Sequence, residues 1–187
     1  MIQGILLAAG SSRRFGSDKL IQRLPGGELV AVQAYRNLLP NTDKVLVVAR
    51  PNSPVLVGQL QKSGAEVIVC SDAESGMGNS LAFAIRACLN ASGWVIALAD
   101  MPWIKPTTIE KIAGELRAGT QIAAPCWQGQ RGHPVGFSEV FGPELVQLQG
   151  DAGAKSLLET HRQKLKLIDC DDPGVLLDID HPADLNP

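Results

Sequence analysis

Four short apolar runs restrict the fold of this chain more than any other feature of its sequence. They span residues 2–8, 45–49, 67–70 and 94–99, and each is mostly apolar with β-branched residues. Such runs are typical of strands that are buried on both faces, as in a parallel sheet, whereas half-exposed strands alternate between apolar and polar residues. The sequence therefore predicts a sheet that is covered on both sides.

The segments between these runs and the segment after the last run carry apolar residues at helical spacing. They cover residues 32–39, 55–61, 80–89 and 106–116, and the third is preceded by a glycine loop in which Asn79 or Ser80 is the predicted N-cap. Alternating strands and helices predict a three-layer α/β domain with right-handed crossovers. The second half is less regular, with strands predicted over residues 122–124, 134–137, 165–168 and 175–177 and helices over 144–148 and 154–161. We see no repeat or linker, and expect residues 1–187 to form a single domain.

Composition limits the kinds of partner. Of the 187 residues, 45% are hydrophobic and 19% are charged, as in an ordinary globular protein. The net charge of -2 gives no reason to expect nucleic acid or an anionic membrane as a partner, so any basic site must be local. The four cysteines form no CxxC pair, which favours reduced thiols over a zinc site or a disulfide framework. The apolar start is too short for a membrane span and lacks the basic residues of a signal peptide, so we expect a cytoplasmic protein.

A basic loop, GSSRRFGSDK, follows the first predicted strand. In open parallel sheets, ligands bind at the carboxyl ends of the strands. Gly10 and Gly16 would allow backbone N–H groups to approach a ligand, and Arg13, Arg14 and Lys19 place three positive charges within seven residues. This combination suits a polyphosphate, although neither GxxxxGK[ST] nor GxGxxG is present. The alternative is a glycine turn with solvated arginines.

Three aspartates in two segments are candidate metal ligands. Asp100 directly follows the apolar run 94–99, where a carboxylate is costly unless a cation compensates it, and Mg²⁺ is the usual cation beside phosphates. Its alternative role is to cap the following turn. Asp178 and Asp180 would face the same side of a strand and repel each other unless a cation lies between them or one is protonated. Asp184 is predicted to begin a helix rather than to bind metal.

Several segments of the chain carry a family resemblance. LAAGSSRRFGSDK resembles the first signature of the nucleotidyltransferases that make sugar and cofactor nucleotides, LAAGxSxRxGxxK, at every specified position. Further segments that resemble the family follow in family order: GMGNSL at 76–81, ADMP at 99–102, RGHPV at 131–135, LQGDAGAK at 148–155 and DIDHPADL at 178–185. Departures are Lys155 for arginine, which keeps the charge and loses the bidentate fork, and His181 and Ala183 for threonine and glutamate. Within the family, the chain is most similar to the molybdenum cofactor cytidylyltransferase group of MobA/MocA-like NTP transferases.

The resemblance implies a three-layer Rossmann-like nucleotidyltransferase fold with a mostly parallel central sheet and assigns residues to roles. The implied nucleotide-binding residues are Leu7, Ala8, Ala9, Gly10, Ser12, Arg14, Lys19, Gly76, Met77, Ser80 and Asp100. Arg14, Lys19 and Asp100 are the implied catalytic residues, and Asp100 with Asp180 or Asp178 would hold Mg²⁺, Asp180 being preferred. His133, Asp151 and Lys155 are the implied acceptor-binding residues.

The implied reaction is Mg²⁺-dependent transfer of CMP from CTP to a phosphorylated small-molecule acceptor, with release of pyrophosphate. Molybdopterin is the implied acceptor, and a molybdoenzyme or its chaperone is a candidate transient partner. Ala9 favours CTP, because LAAG accompanies CTP in this family whereas LAGG accompanies GTP in the related guanylyltransferase. The alternatives are a GTP or UTP transferase acting on a sugar phosphate or another cofactor phosphate, a nucleotide-sugar glycosyltransferase, and a regulatory module that binds a nucleotide without turnover.

Overall fold

The central sheet contains the four apolar runs as neighbouring strands. The structure is a computed structural model that describes residues 1–10, 15 and 18–186. Its strands are β1 (Ile2–Ala8), β2 (Lys44–Ala49), β3 (Glu66–Val69), β4 (Gly93–Leu98), β5 (Ile122–Trp127), β6 (Gln130–Arg131), β7 (Val135–Ser138) and β8 (Leu165–Asp169). Each apolar run is a strand within one residue of its predicted bounds, which confirms that part of the prediction.

The strand order is β3-β2-β1-β4-β7-β5-β6, with β8 paired to β5. Pairs β1–β2, β1–β4, β2–β3 and β5–β8 are parallel, whereas β7 runs antiparallel to both β4 and β5, and β6 is antiparallel to β5. The register aligns Ala8 with Ala49 and Leu7 with Leu98, so the carboxyl ends of β1, β2 and β4 lie side by side. The sheet is mostly parallel, as the sequence predicts.

Helices cover both faces of this sheet. They are α1 (Val30–Leu38), α2 (Pro54–Lys62), α3 (Met77–Ala87), α4 (Pro106–Arg117), α5 (Gly142–Leu145) and α6 (Lys155–Thr160). Successive residues of β1 belong to opposite cores, because side chains alternate along a strand. Leu6 packs in one core with α1, α2 and α4, and Ile5 packs in the other with α3, α5 and α6. The protein therefore has three α/β/α layers.

Two local predictions are wrong. Residues 175–177 form no strand, because Pro173–Leu176 is a 3-10 turn in which the Asp172 side chain accepts a hydrogen bond from the Gly174 N–H. A Cβ at Gly174 would lie 2.2 Å from the carbonyl oxygen of Trp103, so this turn is held directly against the backbone that follows β4. Helix α3 begins at Met77 with Gly76 as its N-cap, which places Asn79 inside the first turn.

None of the helices in the described ranges has the length and hydropathy needed to cross a membrane.

Candidate nucleotide-binding site

A cavity of ≈ 620 Å³ opens at the carboxyl ends of β1, β2 and β4. This volume falls within the range of about 300–1,000 Å³ that small-molecule sites occupy. The position follows from topology. Helices α1 and α2 lie on one face of the sheet and α3 lies on the other, so the strand order reverses at β1 and leaves a crevice beside it.

Many of the residues assigned to nucleotide binding line this cavity. They are Leu7, Ala9, Gly10, Lys19, Gly76, Met77, Ser80 and Asp100. Ala8 is 1% exposed and packs in the core with α1, on the face of β1 opposite to Leu7. Ser12 and Arg14 lie outside the described residues. The assignments themselves stay predictions, and the structure shows which of these side chains share one space.

Lys19 joins two of the candidate metal ligands. Its Nζ lies 2.8 Å from Asp100 Oδ2 and 3.1 Å from Asp180 Oδ1, and its side chain is 10% exposed. Burial lowers the pKa of the ammonium group, but the contacts with Asp100 and then Asp180 outweigh burial and leave the pKa raised above 10.5. Two carboxylates from opposite ends of the sequence therefore converge on one cation.

The segment that carries Asp178 and Asp180 is attached to the end of β4. The N–H of Ile179 donates to the carbonyl oxygen of Asp100 at 2.9 Å, and the Ile179 side chain is fully buried. Burial raises the pKa of the Asp178 carboxyl, and the negative charges of Asp100 and Asp180 raise it further. The charges of Asp100 and Asp180 thus act on the Asp178 carboxyl.

Asp184 fixes the turn that follows this segment. Its Oδ2 accepts hydrogen bonds from the N–H groups of Asp180 at 2.9 Å and His181 at 2.7 Å. The hydrogen bond from His181 and then that from Asp180 lower the pKa of the Asp184 carboxyl. This capping box opens the 3-10 turn Pro182–Leu185, in agreement with the predicted helix-start role.

Arg50 is a cavity residue that the sequence analysis missed. It directly follows β2, lines the cavity, and places Nη2 3.4 Å from Asp18 Oδ2. The other oxygen of Asp18 accepts from the N–H of Leu20 and caps the 3-10 turn that contains Lys19. The argument that singled out Asp100, a polar residue directly after a buried strand, also applies to Arg50.

Asn37 is a second missed residue and acts at a distance from the cavity. It lies on α1, and its Nδ2 donates to the carbonyl oxygens of Pro102 at 2.8 Å and Ile104 at 2.9 Å. Its Oδ1 accepts from Gln33. These bonds hold the loop that follows Asp100. The signal in the sequence was a polar residue, asparagine, on an otherwise apolar face of the helix.

The three residues assigned to the acceptor lie in different surroundings. Asp151 lines the cavity together with Gly76 and Met77. Lys155 has a side chain that is 74% exposed, and its Nζ lies 4.0 Å from Glu159 Oε1. His133 and Lys155 are not among the lining residues in the described part of the chain.

His133 nevertheless lies close enough to Asp100 to sense its charge. Burial, then the positive charge of Arg131, lowers the pKa of His133 to about 4, and the Asp100 charge opposes this shift. Its Nδ1 is buried and has no hydrogen-bond partner among the described residues. The imidazole is therefore neutral at pH 7.

The carboxylates also suit a divalent cation. The described residues do not gather three His, Cys, Asp or Glu side chains into one ready coordination shell. However, Asp100 and Asp180 approach a single cationic atom, and Mg²⁺ is commonly held by one or two carboxylates together with substrate phosphates. The residues present therefore fit a divalent metal that binds with a nucleotide.

Comparison with known proteins defines the class. The chain belongs to the family of the MobA-like NTP transferase domain, whose model matches residues 4–165. It is therefore a member of a nucleotidyltransferase family, and the suspected relationship to MobA/MocA-like proteins is confirmed.

Three relatives that are similar to this chain in sequence have different functional names. The purine catabolism protein PucB of Bacillus subtilis is 32% identical over 97% of this chain and 92% of its own length. The nicotine blue oxidoreductase of Paenarthrobacter nicotinovorans is 28% identical over 96% and 92%. A probable molybdenum cofactor guanylyltransferase of Thermococcus gammatolerans is 27% identical over 86% and 81%.

Solved structures share the fold. Rv0371c from Mycobacterium tuberculosis aligns with a TM-score of 0.84 and 27% identity over 98% of this chain and 94% of its own. A second structure of Rv0371c is a complex with manganese and aligns with a TM-score of 0.80. A nucleotidyl transferase from Methanothermobacter also has a TM-score of 0.84, at 21% identity over 98% and 94%. The predicted three-layer nucleotidyltransferase fold is thereby confirmed.

Proposed function

We propose that the protein transfers CMP from CTP to a phosphorylated acceptor, with molybdopterin as that acceptor, and releases pyrophosphate. The observation that carries the proposal is that Lys19 contacts Asp100 and Asp180 beside a cavity that Gly10, Lys19 and Asp100 line. A lysine between two carboxylates at the carboxyl edge of a parallel sheet suits a site that handles phosphate charge and a divalent metal together.

The reaction needs positioning and positive charge more than proton transfer. A phosphate oxygen of the acceptor attacks the α-phosphorus of the nucleotide, the bond to the β-phosphate oxygen breaks, and pyrophosphate leaves with the negative charge. A phosphate monoester acceptor is already anionic, so it needs no strong general base. Lys19 lies where it can stabilise charge that develops on the phosphates, and Arg14 is assigned the same role.

Asp100 and Asp180 are the proposed ligands of Mg²⁺, which would supply positive charge to the phosphates when it is bound. Asp180 is preferred to Asp178 because it shares Lys19 with Asp100. The complex of the relative Rv0371c with manganese supports a divalent metal in this family. Asp178 would then contribute through its negative charge.

Two nucleotides compete as the donor. Ala9 lines the cavity and belongs to the LAAG segment, which favours CTP by resemblance. The relatives that are named as probable molybdenum cofactor guanylyltransferases favour GTP as the second candidate. We place CTP first because Ala9, the residue that separates LAAG from LAGG, lines the cavity.

Pyrophosphate release tests the proposal. The wild-type protein is incubated with each of the four nucleoside triphosphates, Mg²⁺ and either molybdopterin or a panel of sugar phosphates. We expect release that depends on CTP and molybdopterin. Release with GTP alone among the nucleotides would overturn the donor, and release with a sugar phosphate alone would overturn the acceptor. Tight nucleotide binding without turnover on any acceptor would favour the regulatory module.

Asp100→Ala tests the metal ligand. We expect turnover to fall by at least about 100-fold, the order of loss that follows removal of one group that stabilises transition-state charge. Asp171→Ala is the matched control, because Asp171 is exposed and follows β8 rather than a strand that ends at the cavity. Equal rates for Asp100→Ala and the control would refute the assignment of Asp100.

A further inference from the structure

A single peptide group joins two distant loops beside the cavity. The N–H of Gly150 donates to Asn79 Oδ1 at 2.8 Å, and the carbonyl oxygen of Gly150 accepts from the N–H of Gly78 at 2.7 Å. Both polar groups of Gly150 are thus satisfied by the first turn of α3. Two hydrogen bonds at one residue fix its position and its orientation.

The two backbones touch without any side chain between them. A Cβ at Gly76, where φ is +126°, would lie 2.2 Å from the carbonyl carbon of Gly150. A Cβ at Gly78 would lie 2.8 Å from the carbonyl oxygen of Gln149. Only glycine permits this approach at either position. The close contact explains the glycines of the GMG segment by packing as well as by access to a ligand.

Asn79 is itself held on its other side. Its Nδ2 donates to Asp72 Oδ2 at 2.7 Å, and Asp72 Oδ1 accepts from Ser75 Oγ at 2.5 Å. The Asn79 amide therefore donates to the segment before α3 and accepts from the segment after α5. A side chain must carry a donor and an acceptor on one short planar group to do both.

The joined segments reach the cavity. Gly76 and Met77 line it from the α3 side, and Asp151, the residue after Gly150, lines it from the other loop. The Met77 side chain also packs on Gly153, since a Cβ there would lie 3.2 Å from Met77 Sδ. Residues 149–151 and 76–78 therefore form one continuous wall.

We propose that Asn79 is a positioning residue that fixes residues 149–151 against the start of α3, and that this pair of segments together forms the nucleobase side of the site. The proposal rests on the proposed function, because the resemblance behind that function assigns Gly76, Met77 and Ser80 to the nucleotide. It reassigns Asp151 from the acceptor to the nucleotide. Loss of the Asn79 contacts should weaken nucleotide binding and leave the affinity for the acceptor unchanged.

A reversed pair of substitutions tests this role. Asn79→Asp removes the donor and sets two carboxylates against each other. Asn79→Asp combined with Asp72→Asn restores one donor between positions 72 and 79, leaves an acceptor for the Gly150 N–H, and keeps the net charge of the wild type. Asn90→Asp controls for the added charge of the single variant, because Asn90 is exposed and precedes β4 at the opposite edge of the sheet.

Two measurements read the outcome. Calorimetry with CTP, and separately GTP, in the presence of Mg²⁺ and without acceptor gives the nucleotide Kd. Hydrogen exchange of the Gly150 amide reports the contact whether or not any nucleotide binds. For Asn79→Asp we expect a Kd about 3- to 10-fold higher, the scale of one lost hydrogen bond, and faster exchange of the Gly150 amide. Both values should return to within about twofold of wild type in the double variant.

The results separate this proposal from the proposed function. A wild-type protein that binds neither nucleotide overturns the proposed function, and the role at the nucleobase with it. Equal nucleotide Kd values for wild type and Asn79→Asp overturn the positioning role alone. A double variant that binds as weakly as the single variant overturns it too, as does a single variant whose only change is a higher KM for the acceptor.

Discussion

Replacing Lys19 by methionine should destabilise the metal-free protein. The Lys19 ammonium lies 2.8 Å and 3.1 Å from two carboxylates, and at an effective dielectric constant of about 20 each such pair has a gross attraction of about 5–6 kcal/mol. Desolvation offsets much of this attraction. The loss of the cation alone leaves the carboxylates in place, and for fully buried pairs that change costs about 3–5 kcal/mol. Because the side chains of Asp100 and Asp180 are 23% and 31% exposed, we expect about 2–3 kcal/mol.

Urea unfolding at pH 7.5 in EDTA measures this loss. Lys19 is charged there, because the contacts with the two carboxylates raise its pKa despite burial. With a slope of about 2 kcal/mol per molar urea, the midpoint should fall by about 1 M. Added Mn²⁺ should then stabilise Lys19→Met more than wild type, because the vacated position between the carboxylates favours a cation.

Lys166→Met is the matched control. Lys166 Nζ contacts both carboxylate oxygens of Glu115, at 2.8 Å and 2.7 Å, but its side chain is 55% exposed. An exposed pair of this kind contributes about 0–1 kcal/mol. If Lys19→Met and Lys166→Met unfold at the same urea concentration, or if Mn²⁺ stabilises wild type as much as Lys19→Met, the account of the Lys19 site is refuted.

Two further predictions concern pH. The pKa of Asp178 is raised by burial, then by Asp100 and Asp180, so its ionised form lowers the stability of the folded protein above pH 3.8. Asp178→Asn should therefore raise the thermal midpoint in EDTA at pH 7 but not at pH 3. A lower midpoint for the variant at pH 7 would contradict this sign. The pKa of His133 is about 4, below its unfolded value of 6.5, so its contribution to stability is complete above pH 6.5 and is lost as pH falls towards 4. Between pH 7 and pH 4.5, the free energy of unfolding measured in urea should therefore fall by about 2 kcal/mol less for His133→Gln than for wild type. Equal losses in the two proteins would refute the neutral imidazole.

The half of the fold around β1 could be predicted from sequence because its signals are local and agree with each other. Strands β1, β2 and β4 are apolar runs that are almost entirely buried, so burial and propensity favour the same structure there. Strand β3 is half-buried to exposed, and its β-branched residues favour the strand. The strand predicted over residues 175–177 is wrong because its local signals conflict. Its apolar residues resemble a strand, but Pro173 and the Asp172 cap impose a tight turn.

The site could be predicted in part, because one rule of topology places residues that follow parallel strands at one edge. That rule places Gly10 and Asp100 at one edge, and both line the cavity. Family resemblance added Asp178 and Asp180, and Asp180 contacts Lys19 beside Asp100. Arg50 obeys the same rule and was missed because no motif drew attention to it. Asn79 could not be predicted in its observed role, since its partner Gly150 is 71 residues away and only the fold brings the two together.

The charges around the cavity define what must accompany a nucleotide. Among the described lining residues, Lys19 and Arg50 are positive, whereas Glu74, Asp100 and Asp151 are negative. Asp180 contacts Lys19 and adds a further negative charge beside the cavity. Together these side chains carry more negative than positive charge. A triphosphate would therefore be repelled unless other cations neutralise it.

Two sources of positive charge can meet that need on the proposed function. The sequence places Arg13 and Arg14 between Gly10 and Lys19, and the carboxylates that now hold Lys19 suit a divalent metal. Lys19 alone would not neutralise both carboxylates and the phosphates, so on the proposed function Asp100 and Asp180 would hold a divalent metal that supplies further positive charge. We therefore expect divalent metal to lower the Kd of the nucleotide in calorimetry, so that its role would begin before the chemical step.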